Sequence, residues 1–323
     1  MITADDQLIG VLADRTGLTR EALFGHVAVA RVQGAFSYPL SDDEVEDTVR
    51  EIIENMTRVV PIGLPAEADP ASQYVWLQEI TAHYVSAETR MVLIRIDSAG
   101  RTPARRSPGE GYDPLTDGWD LDPEDYDDEL VRDAQQWTWW QWVKAAGVRE
   151  MWRMPDPYVG ADSDVPLDRA LDERRRTGDE AAYRRALKQI RNANYRDIDA
   201  WAHSGHEALA RADAVASRST TANRRRCAAI IEALGYYQTG VAVGELSLPS
   251  RFTGVMAWSS IQNRPFLRAR HGLALAWWRL GEFDIAGTVV RTTLWVNPAD
   301  NQGLRDLLSP IEERIPYEKA SID

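Results

Sequence analysis

Large and small residues alternate at fixed places between positions 267 and 300, and this pattern limits the fold more than any other part of the chain. Leu273 and Ala274 form a large–small pair, Trp277 is bulky, Gly281 permits a tight turn, Phe283 follows it, Ala286 is small, and Asn297-Pro298 ends the run. Two helices approach closely only where the side chains between them are small. The spacing therefore predicts a pair of helices folded back on each other. They touch at Ala274 and Ala286, and Trp277 and Phe283 fill the groove beside that contact. Gly281 supplies the left-handed backbone that ends a helix without strain.

A poorer copy lies upstream. Trp201 and Gly205 take the first aromatic and small places, and the second helix is expected from Cys227 to about Leu246, carrying Ala229, Ala233, Tyr236, Tyr237 and Val241. Between these helices an enlarged polar loop, 212–226, is expected to end in Arg224-Arg225-Arg226. The copies start 69 residues apart, close to twice a period of about 34 residues. The loop and residues 247–262 take up the excess. Asn301 to Ile311 are expected to form a closing helix, because a stacked array needs a polar-faced end.

The stretch from Asn263-Arg-Pro-Phe266 through Asn297-Pro-Ala-Asp-Asn-Gln-Gly303 resembles bacterial tetratricopeptide repeat (TPR) proteins, whose units end in this way and run into a capping helix. The resemblance covers about 194–311, and residues 1–190 carry none. It implies an array of helical hairpins and the work of a scaffold or adaptor, binding a protein segment in a concave groove. In such a unit the groove is lined by positions that fall here on Arg268, His271, Leu275, Trp278 and Arg279. Two arginines, a histidine and a tryptophan facing one way suit an acidic or carboxylate-ended peptide. They depart from the lysine and asparagine pattern of carboxylate-clamp repeats. The plainer alternative makes Arg268 and Arg279 solvated charges and packs Trp278 on a neighbouring helix.

The remaining sequence reads as mainly α. Ser41-Asp-Asp-Glu44 is a capping-box pattern, followed at helical spacing by Val45, Val49, Ile52, Ile53 and Met56 until Pro61. Leu8, Val11 and Leu12 suggest a short helix, and Thr19 another with Leu23 and Val27 inward; Val27 to Val32 also reads as strand. Tyr74 to Ile94 holds an apolar element, either strand or buried helix. Ser98 to Asp128 is rich in Pro, Gly and charge and reads as a loop or domain boundary. Residues 155–178 read as loop, and a helix from Asp179 turns Tyr183, Leu187 and Ile190 inward and Arg184, Arg185, Lys188 and Arg191 outward. The expected organisation is an N-terminal helical or α+β domain over 1–100, an acidic linker over 101–128, a helical domain over 129–311 ending in the repeats, and a tail over 312–323.

Composition narrows the function classes. A net charge of −13 sets phosphate repulsion against nucleic acid as the main partner. A lone cysteine, Cys227, forms no intrachain disulfide and fits a reducing cytoplasm, where it is expected to be buried and inert. The acidic start does not read as a signal peptide, and no membrane span is expected from apolar runs this short.

His203 and His206 stand one helical turn apart beside Glu207. Imidazoles at that spacing can converge on a metal, but no third ligand is evident, and packing is the plainer role. Asp120, Asp122 and Glu124 alternate as in a calcium loop, yet the glycine and glutamate that loop requires are replaced by Asp125 and Val131. The tryptophans at 137, 139, 140 and 142 can stack on a ligand or pack at a contact between elements. No phosphate-cradling loop, nucleophile elbow or triad is present, and no cofactor is expected. The leading expectation is a non-catalytic adaptor. An enzyme domain within 1–190, recruited to its substrate by the repeats, is the alternative, and assembly into a homo-oligomer through the tryptophan-rich faces is a third.

Overall fold

A computed structural model describes residues 4–16, 27, 40–59, 92, 95–96, 101–114, 117, 138–158, 165–215, 219–249 and 252–320. These are mainly helical, with a small antiparallel sheet and helix pairs packed together in the C-terminal half. None of the described helices is long and apolar enough to cross a membrane.

Near the N-terminus, α1 (Ala4–Thr16) and α2 (Asp42–Val59) pack together through Leu8, Ile9, Leu12, Val45, Val49 and Ile52, with Val27 buried among them. The capping sequence works as expected at one end. The Ser41 backbone N–H and hydroxyl both donate to Glu44 Oε2 at 2.7 Å, and those bonds lower the Glu44 carboxyl below its ordinary pKa. The rest of the proposed helix from Thr19, and most of the element between Tyr74 and Ile94, lie outside the described residues. Val92 and Ile96 are helical and buried in the main core.

Residues 101–114, expected to open a loop, instead contain β1 (Arg105–Tyr112). It pairs antiparallel with β2 (Arg149–Arg153), Arg105 opposite Arg153 and Tyr112 opposite Arg149, with an irregularity between Arg106 and Gly111. Short α3 (Thr138–Ala145) precedes β2 and buries Trp140 in the main core. The sheet is tied to the C-terminal helices by backbone bonds from Trp152 N to Val255 O and from Met256 N to Val296 O. Asn263, fully buried, adds three more: its Oδ1 accepts from Met154 N at 2.9 Å, and its Nδ2 donates to Trp152 O at 2.9 Å and Ala257 O at 3.0 Å.

The segment 155–178, expected as loop, contains α4 (Pro166–Thr177). Pro166 sits at the helix start, where its missing N–H costs nothing, so it initiates the helix rather than breaking one. Gly178, at φ 68°, ends it. In α5 (Glu180–Ala193) the Asp179 side chain accepts from Ala182 N at 2.8 Å, and Tyr183, Leu187 and Ile190 are buried as the periodicity predicts. Arg191, expected to face outward, is buried. Its guanidinium bonds the Ser204 hydroxyl and lies 4.4 Å from the Tyr236 ring centroid. Cation–π contact and a hydroxyl acceptor give the charge a place that periodicity alone does not reveal.

Two further hairpins follow. α6 (Ile198–Asp213) and α7 (Thr220–Glu245) form one, and α8 (Arg264–Arg279) and α9 (Phe283–Val296) the other. Each packs on its neighbours in sequence, and α6 also lies against α8. Ala274 and Ala286 are fully buried where α8 meets α9, and Gly281 makes the turn at φ 81°. The expected polar loop over 212–226 is shorter than the sequence suggests. Ser219 caps α7 by accepting from Ala222 N, and this places Arg224–Arg226 inside the helix. Cys227 is half-buried there rather than buried. The closing element is divided between a 3₁₀ turn (Leu304–Leu307) and α10 (Leu308–Glu312). Asp300, at φ 46°, accepts from the backbone N–H of Leu304 and Arg305, and burial raises its carboxyl to about 6.

Candidate functional site, the face of α6 and α8

The first helices of the two hairpins stand side by side because residues between them are small. Gly205 on α6 and Gly272 on α8 press on the Tyr237 ring of α7, each so close that a Cβ would lie within 2.5 Å and 2.1 Å of ring carbons respectively. Their adjoining faces bring together Asp199, His203 and His206 from α6 with Arg268, His271 and Leu275 from α8.

Arg268 Nη1 bonds Asp199, and its guanidinium carbon is 5.9 Å from the Trp258 ring centroid. His203 is held between two groups: its Nδ1 lies 3.0 Å from the Tyr183 hydroxyl and its Nε2 lies 3.9 Å from Asp199. With Tyr183 donating, the Nε2 proton faces the carboxylate. His203 and His206 meet edge to face at 5.8 Å, and His206 meets Tyr237 in the same way at 5.7 Å. Among the described residues no group of three His, Cys, Asp or Glu side chains is placed to hold a metal ion. Next to this face, buried Glu207 accepts from Arg174 at 2.9 Å, and Arg174 also binds Glu180 at 2.9 Å.

Burial holds His203 and His271 below the ordinary imidazole value of 6.5, and for His203 this outweighs the opposing pull of Asp199. The unfolded chain therefore takes up protons on these rings at higher pH than the folded chain. Their contribution to stability is complete above pH 6.5 and is lost as pH falls through their folded midpoints. In an NMR titration of the imidazole Cε1–H signals, both are expected to titrate below 6.5; a midpoint at or above it for either ring contradicts this packing.

The five groove positions expected from the sequence all lie on α8, but they divide into two groups. Arg268, His271 and Leu275 are half-buried on the face shared with α6. Trp278 is buried, and its Nε1 donates to Ile315 O at 2.8 Å. Arg279 pairs with Asp213 at 2.5 Å and donates to the Tyr317 hydroxyl at 2.7 Å. The packing alternative for Trp278 thus describes its surroundings, the neighbour being the chain's own C-terminal segment. Sequence reasoning missed Asp199 and Tyr183. Asp199 was detectable, since it lies 69 residues before Arg268 and so holds the same place in the first copy.

Comparison with known protein families, curated proteins and solved structures finds no match to this chain.

Proposed function

We propose that residues 194–311 form a tetratricopeptide-like array and that the protein is a non-catalytic adaptor, holding a protein segment against the α6/α8 face in the cytoplasm. The observation that carries this reading is the registry of the two hairpins. Asp199 and Arg268 occupy equivalent places one double period apart and pair across neighbouring first helices. The packing order supports it as well: each helix from α6 to α9 lies on its neighbours, and first helix lies on first helix. Between these pairs the exposed His206 and the half-buried His271 and Leu275 offer an apolar and imidazole surface. Arg264 and Arg268 flank it, stacked near Trp258 at 5.4 and 5.9 Å. With Arg268 paired to Asp199, Arg264 is the cation that would meet a carboxylate, and the surface suits an extended segment with an apolar side chain beside one.

The test is affinity capture from the native host with the wild-type chain and with His206→Glu/Leu275→Glu, both checked for native circular dichroism and melting. Two carboxylates on this face are expected to reduce the recovered partner by about tenfold or more. An unchanged bound set from a folded variant would sink the reading.

A further inference from the structure

The far end of the α8 face carries an occupant. Beyond α10 the chain reverses at Arg314, whose φ of 55° is left-handed, a conformation that a residue with a Cβ keeps only when its surroundings hold it there. The reversal lays Ile315-Pro316-Tyr317 back on α8. The Ile315 carbonyl accepts from Trp278 Nε1, and the Tyr317 ring meets the Trp278 indole edge to face at 5.2 Å. The Tyr317 hydroxyl accepts from Arg279 Nη2, and the Arg279 guanidinium lies 4.1 Å from the centroid of the same ring. A backbone carbonyl, an aromatic ring and a hydroxyl thus engage two of the five positions expected to line a groove. Ile315 and Tyr317 stay half-buried and Pro316 is exposed, so the segment lies on the surface rather than in the core.

We infer that the Trp278–Arg279 end of α8 is a binding surface for an extended segment of the pattern apolar–Pro–Tyr, and that residues 315–317 occupy it as a tethered ligand which a partner segment must displace. The inference rests on the reading of the α6/α8 face as a segment-binding groove. Tethering gives the chain's own segment a high effective concentration, so a competitor binds only in proportion to the fraction of chains in which the site is open.

A fluorescein-labelled peptide copying residues 312–323 is the probe, and binding is read by anisotropy against the full chain and against full-length Tyr317→Ala. The Tyr317→Ala chain is expected to bind at least about tenfold more tightly than wild type, and a peptide with the same substitution is expected to bind neither. Equal binding by the two chains, or no binding to a folded Tyr317→Ala chain at millimolar peptide, overturns the inference. Should Tyr317→Ala unfold the protein, Arg314→Val carries the same expectation and the same refutation, because a β-branched residue opposes the left-handed turn without altering the face. If the two chains bind the peptide equally while the His206→Glu/Leu275→Glu change still lowers capture, this inference falls alone. If that change leaves capture unchanged while Tyr317→Ala still tightens peptide binding, the α6/α8 adaptor reading fails and the contacts at Trp278 and Arg279 are left to stand by themselves.

Discussion

Replacing Arg270 with Met is expected to destabilise the fold by about 3–5 kcal/mol, the largest single effect outside a truncated aromatic. Arg270 is fully buried. Its Nε donates to Thr293 Oγ1 at 3.0 Å, Nη1 to Glu245 Oε1 at 3.3 Å and Nη2 to Thr292 Oγ1 at 2.7 Å. The threonine hydroxyls direct their own protons to Thr288 O and Val289 O one turn back, which leaves their lone pairs facing the guanidinium. One side chain of α8 is thereby bonded to α7 and α9 at once. Removing it takes the Arg270 cation away from the Glu245 carboxylate, which is itself buried. The double variant Arg270→Met/Glu245→Met should recover most of the loss, because two apolar side chains in place of a buried pair are often neutral or better. Urea unfolding of the single and double variants measures both terms. A single-variant cost below about 1 kcal/mol, or a double variant no better than the single, would show that the charges are not what joins these helices.

A smaller change gives the second large effect. Gly272→Ala adds one methyl group at 2.1 Å from Tyr237 ring carbons, and the same carbons lie 2.5 Å from where a Cβ on Gly205 would stand, so the ring is tightly held. The expected cost is about 3 kcal/mol, at the upper end for overpacked cores. Shortening the obstacle should relieve it: Gly272→Ala combined with Tyr237→Leu should cost clearly less than the sum of the two single changes. Tyr237→Phe should behave in the opposite sense. Among the described residues the buried Tyr237 hydroxyl has no hydrogen-bond partner, and its pKa is driven far above the ordinary tyrosine value by burial, so losing it is expected to be neutral or to stabilise by about 1 kcal/mol. A thermal melt in which Gly272→Ala matches wild type would mean that the three helices do not meet as described.

The contrast between these sites and the rest shows what a one-dimensional reading can find. The α8–α9 hairpin was legible because its requirements are local: Ala274 and Ala286 must be small, Gly281 must take positive φ, and all lie within one short stretch. Strand β1 was not legible. Arg-Arg-Ser-Pro-Gly-Glu-Gly-Tyr has little strand character, and its pairing comes from Arg149–Arg153, far along the chain. Helix α4 was hidden by a proline that breaks a helix in most places and starts one at the first position. For the candidate site, the tetratricopeptide resemblance implied that Arg268, His271, Leu275, Trp278 and Arg279 line one side of α8. It could not foresee that Asp199 would neutralise the first of these, or that Ile315 and Tyr317 would cover the last two.

The Asn263 amide spans partners 109 and 111 residues away in sequence, and the Arg149 guanidinium reaches Trp295 O across 146. During synthesis, β2 leaves the ribosome long before any of these partners exist. The two strands, whose own ladder is short and irregular, are therefore expected to gain these supporting bonds only after the last hairpin has emerged and collapsed. Loops of such length close slowly, so refolding should run from the C-terminal helices outward, with the sheet the last part to gain protection from amide exchange.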